Sequence, residues 1–156
     1  MYLSEASTDY KNRPVMGIVI GFFAGFLAVL VFHQLTLAGL SAAGITKNMP
    51  YSMKLVGPLA IPQFISAAFW GGVWGIALQL ISQHWRRDVS YVLKAMLFGA
   101  VGPTLVSWFV VAWLKGLPLG GGFKTAGIIT GLSVNAAWGV GTALFILLAA
   151  RFAKQN

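Results

Sequence analysis

Val15–Leu40 reads VMGIVIGFFAGFLAVLVFHQLTLAGL, an apolar run without a single Asp, Glu, Lys or Arg. As a helix rising 1.5 Å per residue it is longer than the ~30 Å of hydrocarbon in a bilayer. Three further apolar stretches follow at Leu59–Ile81, Val89–Leu114 and Ala126–Ala150, with Lys94 the one charged residue within them, separated by short polar connections. Composition agrees: 58% of residues are hydrophobic and 9% charged, with a mean hydropathy of +0.79, too little polar surface to coat a soluble globule. The reading is therefore an all-α integral membrane four-helix bundle. Residues 1–14 form a polar N-terminal segment, 15–150 a single transmembrane domain and 151–156 a short basic tail. Within the lead, Tyr2, Leu3, Ala6 and Tyr10 have near-helical spacing, which suits either a mobile tail or an amphipathic segment on a membrane or partner.

The formal charge of +8 would suggest nucleic acid in a soluble protein. Here the basic residues gather at span ends and loops, so anionic lipid headgroups are the expected partner and nucleic acid is not. Four spans place the termini and the second loop on one side of the membrane. That side holds Lys11, Arg13, Arg86, Arg87, Lys94, Arg151 and Lys154, against Lys47, Lys54, Lys115 and Lys124 on the other. The positive-inside rule then puts both termini in the cytoplasm. The chain has no cysteine, which removes disulfides and thiolate metal sites.

Helices in lipid associate by close backbone approach, which small residues permit. Gly17, Gly21 and Gly25 repeat every fourth residue in the first span, as do Ala67, Gly71 and Gly75 in the second; Gly127, Gly131, Asn135 and Gly139 form a drifting stripe in the fourth. These stripes are expected at helix interfaces. A shift of 68 positions lays Lys47-x-x-Pro50 on Lys115-x-x-Pro118 and Trp70-Gly71 on Trp138-Gly139. Taken as a repeat, this makes two parallel two-helix units; chance similarity between two Gly- and Trp-rich segments explains it equally well. Pro103 in the third span predicts a bend, with Gly99 and Gly102 relieving the crowding, while Pro58 and Pro62 read as entry residues of the second helix. Trp70, Trp74 and Trp138 are expected to fill space opened by neighbouring glycines.

The spans contain no Asp or Glu, which counts against a proton- or sodium-coupled carrier. His33, about 27 Å along the first helix from Val15, falls near the outer interface. It reads as an interfacial hydrogen-bonding histidine followed by Gln34, with single ligation of haem or a chlorin as the alternative. His84 belongs to the opposite surface. Gln63, Gln79 and Asn135 are the other strong polar groups, with Ser66, Thr104, Ser107, Thr130 and Ser133; they serve interhelical hydrogen bonds or, if they converge, a polar path. Gly120-Gly121-Gly122 before Lys124 lacks any phosphate-loop pattern. No catalytic residue, metal site or cofactor is assigned.

The strings GFFAGFLAVLVFHQ (Gly21–Gln34), AFWGGVWG (Ala68–Gly75), Lys115-Gly116-Leu117-Pro118 and NAAWGVG (Asn135–Gly141) resemble a group of small four-span proteins of bacterial inner membranes that have no assigned function. The likeness implies a bacterial inner-membrane location and transfers no functional residue. The expected function is a non-catalytic accessory or structural subunit of a larger inner-membrane complex, through a membrane-protein partner or self-association. The alternatives are a small transporter or pore with a polar path near Pro103 and Asn135, or a pigment-binding subunit using His33.

Overall fold

The computed structural model describes residues 2–152, with side chains from Pro14 onward. The side-chain reading of the polar lead, and the tail beyond Phe152, lie outside the described residues. The chain is 79% helical. Among the described residues four helices are long and apolar enough to cross a membrane: Pro14–Ala42, Gln63–His84, Val89–Leu114 and Thr125–Phe152, here the first to fourth spans. The first comprises α1 (Tyr2–Ala28), a π-helical turn at Val29–His33 and α2 (Gln34–Ala42). The second is α3 (Gln63–Ile81) with a closing 3-10 turn at Ser82–His84. The third comprises α4 (Val89–Leu105), a second π-helical turn at Val106–Val111 and α5 (Ala112–Leu114); the fourth is α6 (Thr125–Phe152).

The first and third spans end alike. At Gly44 (φ +71°) the chain turns left-handed; the Gly44 N–H donates to the Ser41 carbonyl at 3.0 Å and the Ile45 N–H to that of Leu40 at 3.0 Å. At Gly116 (φ +62°) the Gly116 N–H donates to Trp113 and the Leu117 N–H to Ala112, at 3.0 and 2.9 Å. Both are glycine-closed caps that satisfy the last free carbonyls of a helix.

The second helix begins later than the sequence suggests. Leu59–Pro62 is not helical: β1 (Leu55–Val56) pairs antiparallel with β2 (Ile61–Pro62), and Pro58 lies in the turn between them. Pro62 stands just before the first helical residue, at φ −55° and ψ 137°, an extended geometry suited to its fixed ring. Gln63 opens the helix and donates its N–H to the Lys54 carbonyl at 2.9 Å. Pro103 is carried inside α4, and the departure from α-helical bonding comes after it, at Val106–Val111.

Packing proceeds by neighbouring pairs. α1 lies against α3 and α4 against α6, each pair antiparallel, with Gly21 beside Gly75, Gly25 beside Gly71, and Gly99 beside Asn135 and Gly139. The first and fourth spans join the two pairs, while α3 meets α4 and α6 only sparingly. One cluster of fully buried residues gathers Leu78, Tyr91, Ala95 and Ala143, and another gathers Ala28, Ala68 and Trp138. Large apolar side chains meanwhile remain exposed along every span, among them Phe23, Phe69, Leu97 and Leu148, as lipid-facing surfaces must.

Candidate functional site

The glycine stripes mark where backbones meet. A Cβ on Gly25 would overlap the Gly71 carbonyl oxygen, and one on Gly75 the Gly21 carbonyl oxygen. In the other pair, a Cβ on Gly99 would strike the Asn135 carbonyl oxygen and one on Gly139 that of Ala95. Gly21 would meet the Gly75 oxygen at 2.8 Å, and Gly71 the Val29 side chain with the Gly25 oxygen at 3.0 Å. Gly17 and Gly131 are looser, facing the Gln79 amide at 3.6 Å and the Trp108 indole at 3.4 Å. Gly99 was legible only as relief for Pro103, although Ala95 and Gly99, four apart, form the third span's crossing stripe. Gly72 and Gly141 seat the rings of Phe22 and Phe32, a use that spacing alone does not signal.

Polar side chains are distributed rather than gathered. Asn135 donates its Nδ2 to the Thr104 hydroxyl at 2.8 Å, and that hydroxyl donates to the Gly131 carbonyl at 3.4 Å. Trp138 is buried and donates its indole N–H to the Gly25 carbonyl at 3.0 Å, tying the fourth span to the first crossing. Gln79 lies in the other pair, packed against Gly21 with its Oε1 buried and unpartnered. Gln63 is exposed at the start of α3. These residues thus do not converge on one path. Trp70 is 59% exposed and faces outward, so it fills no glycine space, whereas Trp74 packs on Phe98.

At the first π-helical turn, the Tyr51 hydroxyl donates to the Leu30 carbonyl at 2.8 Å and the Tyr51 N–H to the buried Gln34 Oε1 at 2.8 Å. The Tyr51 hydroxyl thus bonds a carbonyl inside the widened turn itself. Tyr51 holds φ at +50°, a costly geometry for a residue with a side chain, so these two bonds pin the loop on the first span. His33 stands in the same turn with its Nδ1 buried and unpartnered. Its only fellow, His84, is exposed at the far end of the second span, and among the described residues no three His, Cys, Asp or Glu side chains come together to hold a metal.

The link between the second and third spans concentrates charge and aromatic rings. Arg86 lies 3.5 Å from Asp88, whose carboxylate accepts the Ser90 hydroxyl at 2.6 Å and the Ser90 N–H at 2.9 Å. The Ser90 hydroxyl above all holds the Asp88 carboxyl below the usual carboxylate range; desolvation opposes it as the next largest influence, and the Ser90 N–H, Arg86 and the Tyr91 N–H add to the lowering. Arg87 lies over the Tyr91 ring at 4.3 Å, and the Lys94 ammonium lies 5.7 Å from the Trp85 ring centre. The two rings meet edge to face at 6.1 Å, and Tyr91 is anchored by its hydroxyl 3.3 Å from that of Ser82.

Two open grooves complete the surface. One, of about 330 Å³, is lined by Phe32, Leu144, Phe145 and Leu148 and ends at Arg151. The other, of about 440 Å³, lies beside the second π-helical turn, between Ser107, Trp108, Lys115 and the left-handed glycines Gly120 and Gly121. No known protein family, curated protein or solved structure matches the chain.

Proposed function

We propose that this chain is a non-catalytic membrane protein, a compact four-helix bundle that serves as an accessory or structural subunit of a larger assembly in a bacterial inner membrane, with both termini cytoplasmic. The observation that carries the reading is the division of its faces. The small residues at the centre of the stripes, Gly21, Gly25, Gly71, Gly75, Gly99 and Gly139, are consumed by internal crossings, while the second and third spans each lean mainly on one neighbour and leave Phe69, Trp70 and Val73, or Leu93, Leu97 and Val101, uncovered. Such faces suit lipid and a membrane-protein partner, or a second copy of the chain. Anionic headgroups at the basic loops are part of the same reading. The scattered placement of Gln63, Gln79 and Asn135 weighs against a polar transport path, and the separation of His33 from His84 weighs against a bis-histidine pigment site, single ligation by His33 being the form that the experiment below checks.

A duplicated origin is favoured by packing rather than by the 68-residue offset. Gly25 and Gly99 make equivalent contacts, each against a pair of positions one turn apart: Gly71 and Gly75 in one case, Asn135 and Gly139 in the other. The π-helical turn and the glycine-closed end then follow in the same order in the first and third spans. We infer two parallel helix pairs in which Gly75 corresponds to Gly139, one helical turn from the register that aligning the tryptophans suggests.

Purification from native membranes in mild detergent, with every co-purifying protein and pigment identified, tests the proposal. A stoichiometric protein partner or a defined homo-oligomer is expected. A solitary chain that carries substrate turnover or transport after reconstitution would overturn it.

A further inference from the structure

We propose that Arg87 and Lys94, mounted on the Trp85–Tyr91 ring pair, form a binding site for the phosphate of an anionic phospholipid. The inference rests on the membrane reading above and gives one of its lipid contacts a place. Its first support is charge left without a counter-ion among the described residues. Arg86–Asp88 is the one ion pair among the described residues at this end, and the Asp88 carboxylate is further occupied by Ser90. Arg87 and Lys94 are instead held by aromatic faces. A ring under a cation fixes its position without neutralising it, and a stacked guanidinium keeps its N–H edge free for phosphate oxygens.

The second support is rigidity. Tyr91 is fully buried and its hydroxyl lies within bonding distance of Ser82, also fully buried, so the ring under Arg87 is part of the core. Trp85 packs on that ring, at the margin of the second span where an indole favours headgroup depth. The third support is what lies beneath. Lys94, Leu97 and Val101 stand at positions i, i+3 and i+7 of α4, and all three are exposed. They share one helix face. Leu93, also exposed, flanks it. A phosphate at Lys94 therefore leaves its acyl chain lying along an apolar stripe, which a free phosphate ion or a soluble acidic peptide would not use.

The test is native mass spectrometry of the full chain, released from nanodiscs of equal phosphatidylglycerol and phosphatidylcholine, with inorganic phosphate as a separate arm. The wild type should retain phosphatidylglycerol preferentially. Arg87→Gln and Lys94→Gln should each weaken retention about fivefold and the double variant about 25-fold, with sensitivity to salt. Arg86→Gln, altering a cation already paired, should leave retention nearly unchanged, and Lys94→Arg, which keeps the charge, should retain most of it and keeps the test decisive if the double variant is poorly folded. Equal retention of both lipids, full retention by the double variant, loss of retention in Lys94→Arg, or equal competition by inorganic phosphate would overturn the site. Loss of a co-purifying protein in the double variant with lipid retention intact would also overturn it and assign the surface to that protein. In either event a persisting partner complex would leave the proposed subunit role standing.

Discussion

A glycine at a helix crossing has a value set by what its missing Cβ would meet. At Gly75 and Gly99 the obstruction is a carbonyl oxygen of the facing helix, which can move only if the helix moves. Alanine at either position is expected to cost about 1–3 kcal/mol through forced separation of the pair. At Gly39 and Gly127 nothing lies within 4 Å, so alanine there should be neutral or should stabilise by up to about 1 kcal/mol through better helix propensity. Thermal unfolding of the four variants in one detergent checks the contrast; equal behaviour would mean that the crossings are looser than their geometry. Period-four glycines were readable from the sequence. Their partners were not, because a stripe announces a close approach without naming the helix that makes it. The same limit explains Trp70: proximity to Gly71 along the chain suggested filling, but the two residues lie about 100° apart around a helix, and Trp70 faces outward.

The elements differ in how plainly the chain announces them. Span lengths followed from hydropathy alone, since lipid imposes one constraint on every helix. The hairpin at Leu55–Pro62 escaped notice because its residues are as apolar as those of the helix that follows, and only Gly57-Pro58 hinted at a turn. The two π-helical turns have no compositional signature; Tyr51, which binds the first, is supplied by a distant loop. At the start of α4, Asp88 offers a test with a definite sign. Its carboxyl is held below the usual range in the folded state, so the cap contributes fully at neutral pH and its contribution is lost as acid titrates the folded group below roughly pH 4. Protection of the Ser90 amide from hydrogen exchange should fall over that window, and Asp88→Asn should abolish the pH dependence while keeping a hydrogen-bond acceptor. Unchanged protection down to pH 2 would remove Asp88 as the cap.

For the molecule as a whole, orientation is the first matter to check. With cysteine introduced singly into this cysteine-free chain, a membrane-impermeant reagent applied from outside should label position 47 or 115 and spare position 86; the opposite pattern would invert the proposed topology. The second matter is how far the two halves depend on each other. Each crossing joins spans that are adjacent in sequence, so the first two helices can close on Gly25 and Gly75 before the last two exist. A chain divided between Arg86 and Arg87 and produced as two separate pieces should therefore assemble, detected as co-purification of the untagged piece with the tagged one. Gly25→Leu in the tagged piece should prevent this, because it ruins the first hairpin and the Trp138 contact together. The consequence reaches biosynthesis: a protein built from self-closing hairpins can leave the insertion machinery in two instalments, with only the seam between them completed in the bilayer.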